Sequence, residues 1–196
     1  MSMSPRTRIS DAQSLRALAH PARVALIEAL AVHGSLTATE AGELIGQSPS
    51  NCSFHLRQLA RFGLIESAPS ADARNRPWQV VEGGIGVDVN HLEDADFNAA
   101  AASLNELWIA RQAAAETDWT RRSAHESTSW REAAFSDLTV RWLTAEELAR
   151  LHERVDELLL EFRDRRDPAQ RPAGTRPVRA YFSAFPAVVQ PDRDGD

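Results

Sequence analysis

Apolar residues recur at intervals of three and four positions through the first third of the chain, and this spacing predicts a run of helices. The predicted helices cover residues 10–18, 21–32, 38–45 and 48–62. A Ser-x-x-Gln pattern at Ser10 and a Thr-x-x-Glu pattern at Thr37 are capping boxes that mark the starts of the first and third helices. Ser48 as a cap, Pro49 at the first helical position and Gly63 after the last turn mark both ends of the fourth helix.

The fourth helix has one apolar face and one polar face. Cys52, Leu56 and Leu59 lie three to four residues apart and predict the buried face. The opposite face carries Ser50, Asn51, Ser53, Phe54, Arg57 and Arg61. Short hydroxyl and amide groups near a helix N-terminus, followed by arginines, can enter a major groove, because nothing bulky blocks the approach and positive charge meets phosphate. We interpret this segment as a recognition helix. An ordinary surface helix with a serine-rich face is the alternative.

The preceding helix favours the first interpretation. Only Gln47 separates the end of the helix at 38–45, marked by Gly46, from the cap of the helix at 48–62. A short helix, a tight turn and a second helix form the helix-turn-helix arrangement, in which the first helix crosses the DNA backbone and the second enters the groove.

Two short β-prone runs follow the fourth helix. They lie at 64–67 and 78–81 and flank a polar stretch at 68–77, so the sequence predicts a hairpin. Its tip holds Arg74 and Arg76, which would reach phosphates or an adjacent minor groove if the hairpin is a DNA-contacting wing. Arginines in a solvated loop are the alternative interpretation.

The second half of the chain predicts a different kind of module. A glycine-rich break begins a linker at 83–93, and an alanine-rich helix with one apolar stripe follows at 94–122. Alternating residues predict strands at 138–142 and 178–184, with a capped amphipathic helix starting at Thr144 between them. The fold class is therefore α+β: a winged helix-turn-helix domain at 8–82, a helical and α+β module at 94–189, and a disordered tail at 190–196.

Several of these segments together resemble a known family. The segment 15–23, which reads Leu-Arg-Ala-Leu-Ala-His-Pro-Ala-Arg, the Ser-Phe-His-Leu at 53–56 and the Gly-Leu-Ile at 63–65 are similar to the ArsR-type winged helix-turn-helix transcriptional regulators. The resemblance covers about 8–82. It implies a homodimer on a palindromic double-stranded DNA operator, usually acting as a repressor that a small-molecule effector releases.

The resemblance also bears on the long helix. Its stripe could pack on the C-terminal module or on the same helix of a second subunit, and the family favours the dimer, with Phe97, Leu104, Trp108 and Trp119 as dimerisation residues. We interpret the tryptophans, including Trp130 and Trp142, as core and dimer contacts. An aromatic pocket for an apolar effector is the alternative.

The chain departs from the metal sensors of this family. Their cysteine pair precedes the recognition helix, whereas the segment 38–45 has neither cysteine nor histidine. The single Cys52 falls on the inward face of the recognition helix, where a structural role is expected. The six histidines show no ligand spacing. We expect no metal and no cofactor.

Charge and hydropathy limit the other function classes. The net charge is −6, but residues 1–82 carry 8 arginines against 7 acidic residues, and residues 83–196 carry 14 against 21. The acidity belongs to the second half, which keeps a protein-binding winged helix without DNA affinity as the alternative function.

Neither a membrane span nor a signal peptide is recognisable, so we expect a cytoplasmic protein. The acidic run at 93–96 and the His125-Glu126 pair supply no nucleophile with a base, no phosphate loop and no metal spacing, so we do not expect an enzyme or a catalytic residue.

The sequence thus yields a specific set of candidate DNA contacts. Base-edge contacts are expected from one face of the recognition helix, and backbone or groove-wall contacts from its start, its end and the wing. His55 could bond a phosphate or stabilise helix packing. The full set is Gln47, Ser48, Ser50, Asn51, Ser53, Phe54, His55, Arg57, Arg61, Arg74 and Arg76.

Overall fold

The computed structural model describes residues 7–69, 76–81, 85–88, 91 and 93–188. Contacts between Cα atoms divide the chain into two units, Met1–Ser127 and Thr128–Asp196. The described helices and strands of the first unit are β1 Thr7–Ile9, α1 Ala12–Leu18, α2 Pro21–His33, β2 Ser35–Leu36, α3 Ala38–Ile45, α4 Pro49–Arg61, β3 Ile65–Ser67, β4 Trp78–Val80, β5 Ile85–Val87 and α5 Ala95–Arg122, followed by a 3-10 turn at Ser123–His125. The second unit has α6 Thr128–Ala133, α7 Ala145–Leu160 and 3-10 turns at Arg163–Arg166 and Pro168–Gln170.

Side chains at the helix starts explain where the helices begin. The Thr37 and Thr144 capping boxes are confirmed, and each pairs with a glutamate three residues on. The predicted cap of α1 at Ser10 is wrong by one residue, because the Asp11 carboxylate accepts the Ser14 N–H at 2.8 Å. His20 caps α2 through its ring nitrogen Nδ1, which accepts the Ala22 N–H at 3.2 Å.

Two small sheets complete the first unit. The antiparallel sheet has the order β2-β4-β3, with Ile65 opposite Val80 and Ser67 opposite Trp78. This confirms the hairpin after α4 and adds β2, which the sequence analysis did not predict. β1 and β5 pair in parallel, so the predicted linker at 83–93 contains a strand that lies within the first unit.

The core of the first unit extends from the helix-turn-helix into α5. Phe97, Ala100 and Leu104 are buried with residues of α1, α2 and α4, and α1 packs directly on α5. Polar contacts reinforce this packing, since Arg16 donates to Asp96 at 2.6 Å and the Arg111 guanidinium pairs with Glu28.

This packing corrects the predicted role of two dimerisation residues. Phe97 and Leu104 are about 1% exposed in the single chain, so they present no surface to a second copy. Trp108 and Trp119 are half-buried, and Ile109 is exposed. The exposed apolar part of α5 therefore begins near Trp108.

The second unit differs from its prediction. The segments 138–142 and 178–184 form no strand in the described structure, and Leu138 and Trp142 are 96% and 88% exposed. Alternating apolar residues favour an extended backbone, but a strand also needs a hydrogen-bonded neighbour, which the sequence pattern does not specify. Trp142 is consequently not a core residue of this chain, whereas Trp130 is half-buried and stacks under the Arg176 guanidinium.

Among the described residues, no helix combines the length and the apolar character needed to cross a bilayer.

We predict that the N-terminal half of α5 belongs to the same folding unit as the helix-turn-helix. Leu104→Ala should lower the free energy of unfolding by about 2–5 kcal/mol, because a fully buried side chain is removed. Ile109→Ala, on the same helix but 51% exposed, is the matched control and should cost about 0.5 kcal/mol or less. Urea unfolding of both variants measures the difference, and equal losses would show that this part of α5 does not belong to the core.

Candidate nucleic-acid interface

The turn between α3 and α4 brings the two helices very close. Gly46 ends α3 in the left-handed conformation at a φ of 67°, and the Gln47 N–H donates to the Gly42 carbonyl at 3.0 Å. A Cβ on Gly42 would lie 2.6 Å from the Gln47 carbonyl oxygen, so only glycine fits there without a shift of the turn. The turn therefore fixes α4 relative to α3, as the helix-turn-helix arrangement requires.

A polar network covers the first turn of α4. The Ser48 hydroxyl accepts the Asn51 N–H at 3.2 Å and lies 3.1 Å from the Ser50 hydroxyl. The Asn51 amide donates to Gln47 Oε1 at 2.8 Å. Ser48, Ser50 and Gln47 are exposed and Asn51 is half-buried, so hydroxyl and amide groups lie at the solvent-facing start of the helix.

The opposite face of α4 is packed. Cys52, Leu56 and Leu59 are fully buried in the core, as predicted. Burial raises the pKa of the Cys52 thiol, which keeps it protonated at neutral pH. A buried, protonated thiol is a packing residue and a poor nucleophile or metal ligand.

The outer face of α4 carries positive charge and one aromatic ring. Arg57 and Arg61 are exposed, and Phe54 is 50% exposed. The Arg57 guanidinium donates to the Ser53 hydroxyl at 2.6 Å, which holds it along the helix one turn away. This face can offer hydrogen-bond donors and acceptors, a flat ring and two guanidinium groups to a ligand.

The wing contributes one described candidate. Arg76 is exposed immediately before Pro77 and β4, and the Ala68 N–H closes the base of the hairpin by donating to the Pro77 carbonyl at 2.8 Å. Arg74 falls in the segment 70–75, outside the described residues.

The packing on His55 shows which of its two expected roles the structure favours. Its ring is buried, lies 4.7 Å from the His20 ring between centroids and meets Phe54 edge-on. Among the described residues, neither His55 Nδ1 nor the buried Nε of Arg23 has a hydrogen-bond partner. His55 therefore packs beneath the outer face, and its inclusion among the DNA-contacting residues is corrected for this reason.

His20 and Arg23 were not among the predicted site residues. The sequence predicted that a helix begins at Pro21, directly after His20. The contact between the His20 and His55 rings joins residues far apart in the chain, so no local sequence pattern could predict it. Burial lowers the pKa of His20, and the nearby Arg23 lowers it further. Burial also lowers the pKa of His55, with additional effects from His20 and Arg23. In the folded chain, the neutral form of both rings is therefore favoured over the charged form.

No group of three or more histidine, cysteine, aspartate or glutamate side chains that could hold a metal occurs in the part of the chain that the structure describes.

We predict that acid destabilises the domain through the His20 and His55 pair. Since their pKa values are lowered on folding, the unfolded chain binds more protons, and stability falls as the pH drops below the ordinary value of 6.5. His20→Asn retains a capping side chain but removes one titrating ring, so the loss of stability between pH 7.5 and pH 5.5 should become smaller.

The matched control is His33→Asn, which changes an exposed histidine at the end of the same helix. It should leave the pH dependence of urea unfolding as in the wild type. An unchanged pH dependence in the His20 variant would contradict the role of the pair.

Comparison with known families agrees with this geometry. Residues 18–68, from the end of α1 to just past β3, match the family model of a helix-turn-helix domain. A search of curated proteins gave no match. The first unit thus contains a helix-turn-helix domain, with α3 and α4 as its two helices and a three-stranded sheet carrying its wing.

Proposed function

We propose that the protein is a sequence-specific DNA-binding transcriptional regulator of the ArsR type. The observation that carries the proposal is the exposed face of α4, which combines short polar groups at the helix start with two arginines, on a helix fixed by the turn after α3. A helix with these properties fits a major groove, because its small side chains allow close approach to base edges. The helix-turn-helix match over 18–68 supports the same function.

The proposed contacts fall into two groups. Base edges are read by side chains on the outer face of α4, namely Ser50, Asn51, Ser53, Phe54 and Arg57. Phosphates or groove walls are contacted from the start and end of α4 and from the wing, by Gln47, Ser48, Arg61, Arg74 and Arg76. Base contacts determine sequence preference, whereas phosphate contacts raise affinity for all sequences.

We also propose that the regulator acts as a dimer on a palindromic operator and is a repressor released by a small-molecule effector, as the family resemblance implies. The exposed part of α5 that begins near Trp108 supports a contact with a second copy, because the half-buried Trp108 and Trp119 lie on the same side of the helix and Ile109, next to Trp108, is 51% exposed. A two-fold dimer would place two α4 helices on successive turns of the same DNA face.

A protein-binding winged helix without DNA affinity is the second candidate. It is favoured by the charge of residues 83–196, where 21 acidic residues exceed 14 arginines. The salt dependence of binding to the DNA upstream of its own coding sequence distinguishes the two functions. Phosphate contacts release counterions and give a steep decrease in affinity with salt, which a protein-binding module would not show.

We predict different effects for the two classes of arginine. Arg57→Ala should lower affinity and reduce discrimination against a mismatched base pair by about 1–3 kcal/mol, because a base contact is lost. Arg76→Ala should weaken binding to specific and nonspecific DNA alike and reduce the salt slope by about 1, because a phosphate contact is lost. Gel-shift titrations at several salt concentrations measure both effects.

The control is Arg150→Ala, which removes the same charge from an exposed position on α7 in the second unit. It should leave affinity, discrimination and salt slope unchanged. Equal losses of sequence preference in the Arg57 and Arg76 variants would reject the proposed division of roles.

A further inference from the structure

Three aromatic rings follow one another from the start of α2 to the surface of α4. The His20 ring lies 4.7 Å from the His55 ring between centroids, with 38° between the two planes. The His55 ring in turn lies 5.3 Å from the Phe54 ring, and these two rings meet edge to face at 70°. Aromatic rings attract each other at such distances and prefer edge-to-face contact to a face-to-face sandwich. We call His20, His55 and Phe54 the ring series.

The inner end of the ring series is held in place. The orientation of the His20 ring is restrained, because its Nδ1 accepts the Ala22 N–H at 3.2 Å. His55 is 7% exposed and packs against both of the other rings. Its Nδ1 has no hydrogen-bond partner among the described residues, so the role of this side chain that the structure supports is ring packing. Phe54 therefore rests on a ring with little freedom to move.

The outer end of the ring series is open. Phe54 is 50% exposed, and contact with His55 restrains a side chain that would otherwise sample several rotamers on a helix surface. It lies one helical turn from Ser50 and one turn from Arg57, on the face that carries polar and charged groups. An apolar ring is thus held among hydrogen-bonding side chains, on the surface proposed to enter the groove.

The chemistry of the base edges limits what such a ring can recognise. A phenyl ring carries neither a donor nor an acceptor, so it cannot pair with the amino, carbonyl and ring-nitrogen groups of the base pairs. The 5-methyl group of thymine is the methyl that base pairs present in the major groove. Contact between the ring and this methyl removes apolar surface of both from water. A thymine methyl is therefore the group on the DNA that suits Phe54.

We propose that Phe54 reads the 5-methyl group of a thymine and that His55 is a positioning residue that holds the Phe54 ring for this contact. The inference rests on the DNA-binding function proposed above and names the base feature that one of its side chains recognises. His55 acts through Phe54 and not on the DNA itself, and His20 supports the His55 ring from the start of α2.

Removal of the methyl group from the DNA tests the contact without changing the protein. The probe is a duplex with the sequence that the full-length chain selects from a random pool, in which each thymine is replaced singly by uracil. Uracil keeps every hydrogen-bonding group of thymine and lacks only the methyl. At one thymine of each half-site, the replacement should weaken binding by the wild-type chain by about 4-fold, as expected for the lost burial of one methyl-sized group.

Variants of the ring series show which side chains produce this difference. Phe54→Ala should bind the thymine and uracil duplexes equally well, because the group that contacts the methyl is gone. His55→Asn, which lacks an aromatic ring, should reduce the difference to less than about 2-fold, and His55→Phe, which restores a ring, should retain about 4-fold. A purely structural role of His55 would lower the affinity for both duplexes alike and leave their ratio unchanged. His33→Asn, an exposed histidine outside the ring series, is the matched control and should change neither.

Three results would overturn the proposal. A wild-type affinity that no uracil replacement changes, or a selected site without thymine, would exclude the methyl contact. A Phe54→Ala chain that still distinguishes thymine from uracil would assign the methyl to another side chain, and an unchanged ratio in His55→Asn would exclude its positioning role. All three arise on a complex that is already sequence-specific, so they leave the proposed DNA-binding function standing. A wild-type chain that selects no sequence would reject that function and this inference with it.

Discussion

The burial of one face of α4 is the interaction on which the rest of the first unit depends. Cys52, Leu56 and Leu59 are inaccessible to solvent, and the helix cannot rotate without exposing them. Because helical geometry fixes the angle between positions, the same burial turns Ser50 and Arg57 outward. The polar surface of the domain is therefore a consequence of its core.

The other elements hold that helix in place from several sides. The turn at Gly46 sets its start against α3, the hairpin follows its end, and α1 connects it to the buried half of α5. This last connection joins the helix-turn-helix domain to a helix whose exposed part begins near Trp108. A contact made by a second copy on α5 would therefore act directly on the body that carries α4.

The sequence predicted those features that local chemistry determines. The α3 and α4 boundaries and the hairpin after them were recognisable from caps, glycines and apolar spacing, and the structure confirms them. Features that depend on long-range contacts were not recognisable. Whether the His55 ring is covered depends on its contact with His20, which is far away in the chain. Whether Phe97 is buried within the chain or available to a second copy depends on which surface packs on α5.

In the second unit, too, only the features determined by local residues were predicted correctly. The Thr144 cap and the amphipathic helix that follows it were predicted from the sequence, because both depend on local residues. The alternating segments at 138–142 and 178–184 form no ladder within this chain, since an alternating pattern encodes an apolar face but not the strand that completes it. Among the described residues of the second unit none is buried, and apolar side chains on α7 such as Leu151 and Leu158 are exposed.

The most direct test of the central claim is selection of bound sequences from a random pool of double-stranded DNA by the full-length protein. If the outer face of α4 reads base edges in a two-fold dimer, the selected pool will converge on two inverted half-sites whose centres are about 10 base pairs apart, or a multiple of that spacing. A pool that stays random after repeated selection, at a salt concentration where the protein still retains DNA, would contradict the claim that this surface recognises sequence.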